Sequence, residues 1–131
     1  MIDVRESTDK LKILIVDDSE LNRELLAGML GDEYEIYQVE NGKKAIDILE
    51  ENREQFKLVL LDINMPVMNG HEAAMRLRSG DREDSKTIPI VAMSANAFAE
   101  DVEESLKSGM NAHISKPIKV DEMLKEISKF L

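Results

Sequence analysis

Asp17 and Asp18 follow the apolar run KILIV, Asp62 follows LVLL, Ser94 follows IVAM, and Lys116 follows AHIS. Three carboxylates, one hydroxyl and one ammonium form a working set if the fold brings these run ends together. Crowded carboxylates repel one another, so they either raise a pKa or hold a cation between them. With no Cys in the chain and no His near the three Asp in sequence, the oxygen-only set suits a hard cation. Mg²⁺ is the usual one where phosphate is also handled, and because it keeps several waters, a few carboxylates and one backbone carbonyl are enough. Asn64, two residues past Asp62, is placed to offer that carbonyl. The Lys116 ammonium is a point charge suited to a phosphoryl oxygen, and the Ser94 hydroxyl can donate a further hydrogen bond. A carboxylate can also act as a covalent nucleophile. Asp62 ends the central run of the set and is the best-placed acceptor, so these groups describe a cradle for a phosphoryl group and its metal.

Five apolar or strand-like segments must carry these residues. KILIV (12–16), LVLL (58–61) and IPIVAM (88–93) lack polar alternation, as expected of parallel strands covered on both faces. YEIYQVE (34–40) and AHI (112–114) are more polar or shorter and suit the sheet edges. Helical patterns lie between them. Leu21, Leu25 and Met29, with Leu26 and Leu30 beside them, predict one wide inward stripe, leaving Glu20, Arg23 and Glu24 wet. Asn41 and Gly42 open a helix in which Ala45, Ile48 and Leu49 share a face. Asn69 is a candidate cap for HEAAMRLR, which Gly80 would end. A fourth helix is expected to place Ala99, Val102 and Leu106 on one side and to stop at Gly109; a last one, after Asp121, repeats Leu124, Ile127 and Leu131.

Five strand–helix alternations predict an α/β fold: a doubly wound five-stranded parallel sheet, order 2-1-3-4-5, with helices on both faces, a flavodoxin-like architecture. In such a sheet ligands bind where the strand order reverses, at the C-terminal strand ends. Every residue of the set falls at that rim. Residues 1–10 are polar and non-periodic and read as a flexible lead-in to a single domain over 11–131.

In ILIVDDSELNRELL, LVLLDINMPVMNGHE, IVAMSANAF and ISKPI, in this order and at these spacings, the chain resembles the receiver domain of two-component response regulators, from about Leu11 to Leu131. The resemblance implies a CheY-like fold with Asp62 as phosphoacceptor and with Asp17, Asp18, Asp62 and the Asn64 carbonyl serving Mg²⁺. It further implies that Ser94 and Lys116 contact the phosphoryl oxygens and that Lys116–Pro117 is a cis peptide. The phrases MPVMNGHE, MSANAF and GMNAHISKPI are similar to receivers of hybrid histidine kinases. That implies a histidine kinase or a histidine phosphotransfer domain as partner. A downstream protein would be met by the fourth helix to fifth strand face, around Ala97 to Gly109 and His113 to Ile118.

Each residue also has a plainer reading. Asp18 or Ser19 could simply cap a helix, Asp62 could form a turn before Pro66, and Lys116 could be a surface lysine; only their common register argues otherwise. His113 stands three residues before Lys116, where the family usually has Tyr or Phe as a switch. Histidine is smaller, polar and titratable near neutrality, so it reads either as an altered switch with Ser94 or as a surface residue. His71 reads as solvated.

Composition narrows the rest. A chain of 131 residues with 43% hydrophobic content suits one domain. A formal charge of −10 disfavours direct nucleic-acid binding. The absence of Cys excludes disulfides, and eight Met beside three Phe and two Tyr suggest a core filled by aliphatic and thioether groups. No apolar run approaches the roughly 18 residues of a membrane span, and no secretory signal opens the chain, so a cytoplasmic location is expected. A dehalogenase-type phosphatase would share the Asp nucleophile, Mg²⁺, hydroxyl and Lys, but it needs a second acid where Asn64 stands. A flavin carrier would need a phosphate loop after the first strand, where two Asp stand instead. The chain is therefore expected to catalyse only its own phosphoryl transfer and dephosphorylation.

Overall fold

Strand β1 (Lys12–Val16), helix α1 (Glu20–Leu30), β2 (Glu35–Val39), α2 (Gly42–Glu51) and β3 (Phe56–Asp62) form the first half of the chain. Helix α3 (Gly70–Arg78), β4 (Ile90–Ser94), β5 (Ala112–Ser115) and α4 (Val120–Ser128) follow. The computed structural model describes residues 11–31, 33–51, 56–63, 70–79, 88–94, 103, 106–116 and 118–130. The five strands make one parallel sheet in the order β2-β1-β3-β4-β5. Val16 stands opposite Leu61, Asp62 opposite Met93, and Ser94 opposite Ser115, so the C-terminal strand ends finish on one rim.

The uninterrupted apolar runs follow from burial on both faces. Leu14, Val16, Val59, Leu61 and Ala92 point to one side, against Ala45 and Leu49 of α2 and Ala73, Ala74 and Leu77 of α3. Ile13, Ile15, Leu58, Leu60, Val91 and Met93 point to the other, against Leu26 and Leu30 of α1 and Met123 and Ile127 of α4. Successive residues of a strand alternate in direction, so a two-sided core needs apolar residues at every position. Met93, Met110 and Met123 are all buried, in keeping with methionine as core filler.

Three helix faces differ from the sequence expectation. In α1 only Leu26 and Leu30 are buried, whereas Leu21 is 67% exposed and Leu25 53% exposed. These two leucines form their own row, about 100° around the helix from the row that meets the sheet, and the sheet covers only the latter. In α4 the buried row is Met123 and Ile127, with Leu124 at its margin. The helix begins at Val120, which places Asp121 inside its first turn rather than before it. Leu106, expected on the apolar side of its helix, is 51% exposed. Of the helix expected between β4 and β5, Glu103, Leu106 and Lys107 are among the described residues and are helical. Gly109 ends it at φ 101°, the left-handed conformation that glycine adopts without penalty. Residues 1–10, Asn69, Gly80, Ala99, Val102, Leu131 and the side chain of His71 lie outside the described residues.

Candidate metal and phosphoryl site

The rim begins at the turn from β1 into α1. Ser19 caps α1, its Oγ accepting from the Asn22 amide at 3.3 Å. The cap therefore belongs to Ser19, and Asp18 is exposed beside it. The Ser19 amide donates to Asp17 Oδ1 at 2.9 Å, and Arg23 donates through Nη1 to the Asp17 carbonyl at 2.7 Å. These contacts fix a carboxylate that is 0% exposed. Arg23, expected to be solvated, is thus part of what holds Asp17.

Asp62 ends the central strand and is 1% exposed. One oxygen from each of Asp17, Asp18 and Asp62 can be chosen so that all lie within 4.8 Å of one another. Oxygens bound to a single Mg²⁺ lie at most about 4.2 Å apart, twice a bond of ~2.1 Å, so a small convergence would suit the ion. Lys116 reaches the same place from the end of β5: its Nζ lies 3.3 Å from Asp17 Oδ2 and 3.3 Å from Asp62 Oδ1. One ammonium facing three carboxylates leaves the cluster two charges negative, which is the condition for taking up a divalent cation.

Backbone contacts lock the strand ends together. The Ile63 amide donates to the Met93 carbonyl at 2.9 Å, and the Lys116 amide donates to the Ser94 carbonyl at 2.7 Å. Ser94 is therefore one residue beyond the partner of Asp62 on the adjoining strand, and it is 4% exposed. Its Oγ lies 2.7 Å from Nε2 of His113, which is half-buried. His113 is thus in contact with the rim hydroxyl. Asn64 and Pro117 lie outside the described residues, as do 97–102 of the expected partner face.

Gly70 is a site residue that the sequence patterns did not single out. A Cβ there would lie 2.6 Å from the Asp62 carbonyl oxygen and 2.7 Å from Ile63 Cα. Its amide donates to the Ile63 carbonyl at 3.0 Å, so the first turn of α3 rests directly on the Asp62 strand end. Asn69 as a candidate cap for HEAAMRLR points to a helix start but carries no sign of this close approach. Beside the acidic cluster, Leu25, Leu26, Met29 and Ile118 line a cavity of about 140 Å³, with Asp17 and Lys116 also in its wall.

Residues 13–128 match the family model of the response regulator receiver domain. The chain is 36% identical over 126 residues to the sensor histidine kinase RcsC of Salmonella typhi, covering 95% of this chain and 13% of that protein. It therefore spans about an eighth of that relative's length. The receiver domain of the sensor histidine kinase PA1611 from Pseudomonas aeruginosa PAO1, solved with a magnesium ion coordinated in its active-site cleft, superposes with a TM-score of 0.82 at 30% identity. That match covers 92% of this chain and 97% of the other. A co-crystal structure of the Saccharomyces cerevisiae histidine phosphotransfer protein Ypd1 with the receiver domain of the response regulator Ssk1 matches with a TM-score of 0.82 at 28% identity. Here 92% of this chain and 88% of that chain are covered.

Proposed function

The chain belongs to the response regulator receiver domain family, and we propose that it takes a phosphoryl group from a phosphohistidine onto Asp62, with Mg²⁺, and changes its interaction surface as a result. The observation that carries this reading is the placement of the Lys116 ammonium between Asp17 and Asp62, inside a group of three carboxylates at the sheet rim.

In the transfer, a carboxylate oxygen of Asp62 attacks phosphorus. An O–P bond forms, the N–P bond of the donor breaks, and the departing imidazole keeps the bonding electron pair and is protonated from solvent. Phosphoryl transfer asks little of the protein beyond alignment and neutralisation of charge on the equatorial oxygens. The strand end holds Asp62, Lys116 supplies a positive charge to one of those oxygens, and Ser94 supplies an O–H donor. Asp17, Asp18 and Asp62, with the Asn64 carbonyl, are the ligands proposed for Mg²⁺. When bound, the ion offsets the negative charge of carboxylates and phosphoryl group alike.

The proposed partner is the phosphohistidine of a kinase or of a histidine phosphotransfer domain. Its docking surface is the exposed row of Leu21 and Leu25 with the cavity beside Asp17 and Lys116, because this apolar ground is continuous with the site that must receive the phosphoryl group. A downstream partner would read the face that includes Leu106, Lys107 and β5.

The reading is tested by supplying a phosphorylated histidine phosphotransfer domain and following the label. Stoichiometric transfer that depends on Mg²⁺ is expected. Many turnovers of a simple phosphomonoester, with no retained label, would instead assign the site to a phosphatase.

A further inference from the structure

Asp17 is the residue at which β1 leaves the sheet. Its amide still donates to the Val39 carbonyl of β2 at 3.2 Å, but β2 ends at Val39. It is Arg23 of α1 that donates to the Asp17 carbonyl, through Nη1 at 2.7 Å. The Ser19 amide takes Asp17 Oδ1 and the Lys116 ammonium takes Oδ2. Of these groups, Arg23 is the one that touches the peptide joining Asp17 to Asp18. That peptide matters because Asp18 is exposed: packing does little to hold its carboxylate, yet one of its oxygens lies within 4.8 Å of oxygens of Asp17 and Asp62. The backbone of the turn does the placing instead.

Arg23 is itself half-buried, and Glu40, just past the end of β2, attracts it. A hydrogen bond and the charge of Lys44, and more weakly the charge of Arg23, hold the Glu40 carboxyl below the usual carboxylate range. As a charge, Arg23 works against a cation at the rim, because a guanidinium near three carboxylates offsets part of the negative potential that draws in a divalent ion. As a clamp it works the other way: groups that orient metal ligands raise affinity by holding those ligands ready. Removing the side chain therefore separates the two roles by sign.

We propose that Arg23 is a positioning residue for the rim: by clamping the Asp17 carbonyl it holds the Asp17–Asp18 turn so that both carboxylates stay within reach of one divalent cation. This rests on the reading of Asp17 and Asp18 as ligands of Mg²⁺. The helix that carries Arg23 thus sets the metal affinity of a site whose ligands stand on strand ends.

The test is a Mg²⁺ titration of the full chain, followed by the amide NMR shifts of Asp18 and Ser19, in the unsubstituted protein and in Arg23→Met and Arg23→Gln. Both replacements suit a helix and lack the charge; Met donates nothing, and Gln is shorter by two bonds. The Kd for Mg²⁺ is expected to rise about tenfold in each, the lower end for loss of a group that orients a metal ligand. Arg23→Lys, which keeps the charge and a donor of similar reach, is expected to lose less. Amide shifts of β3 and β4 show whether each variant is folded; should Arg23→Met fail to fold, Arg23→Gln decides. An unchanged or tighter Kd in either folded variant overturns the proposal and leaves Arg23 as a nearby charge. Absence of a saturable Mg²⁺ response at Asp18 and Ser19 in the unsubstituted chain overturns the metal assignment itself, and this proposal with it.

Discussion

Asp17 and Asp62 are carboxylates withdrawn from water, and the Lys116 ammonium, on a side chain 23% exposed, lies 3.3 Å from each. Removing a charge from this group has opposite effects according to its sign. Lys116→Met leaves two buried carboxylates without their ammonium and is expected to lower stability in chelator by roughly 1–3 kcal/mol, at the low end of a broken buried pair because Lys116 is partly wet. Asp62→Asn relieves repulsion among three carboxylates and is expected to raise stability in chelator on the order of 1 kcal/mol, as charges a few ångströms apart at a protein surface allow. Denaturant midpoints of both variants without metal check the pair of signs. A loss for Asp62→Asn would mean that its hydrogen bonds outweigh the repulsion.

At the scale of elements, the site depends on how closely helices rest on strand ends. Gly70→Ala must displace the Asp62 carbonyl or the start of α3, since a Cβ would stand 2.6 Å from that oxygen. A destabilisation of about 1–3 kcal/mol is expected, as for other overpacked sites, together with slower labelling of Asp62; an unchanged denaturant midpoint would contradict the close approach. Leu25→Ala, on an exposed position, should alter stability by less than about 0.5 kcal/mol. It is expected to slow transfer from a histidine phosphotransfer domain while leaving labelling by a small acyl phosphate unchanged, and equal effects on both donors would remove the docking role given to α1. The strands were legible because two-sided burial writes an unbroken apolar run, and the rim residues were legible because each stands at a run's end. The helix faces were read less well. A periodic pattern shows that a helix has an apolar side but not how much of it the sheet covers, which is why Leu21, Leu25 and Leu106 belong to apolar stripes and yet stand exposed. The close backbone approach at Gly70 leaves no periodic trace in the sequence, and the His113 contact depends on register between β4 and β5, a tertiary property.

At the scale of the molecule, the acidic rim is part of a chain whose formal charge is −10. A divalent ion that binds only the folded arrangement stabilises it by mass action, by about 2.7 kcal/mol at a hundredfold excess over Kd. Thermal unfolding is therefore expected to move upward with Mg²⁺ and to saturate, and chelator should reverse the shift. Asp17→Asn should blunt it, since that variant removes the charge of a proposed ligand while keeping the side chain's size. An equal response in Asp17→Asn would place the ion elsewhere. No helix among the described residues is long and apolar enough to cross a membrane.

The central claim is that Asp62 accepts a phosphoryl group, and the most direct measurement is the intact mass of the chain after incubation with Mg²⁺ and a small acyl phosphate. The account predicts a gain of one phosphoryl group that is absent when Mg²⁺ is chelated and absent in Asp62→Asn. A gain that persists in Asp62→Asn, or that ignores the metal, would contradict it.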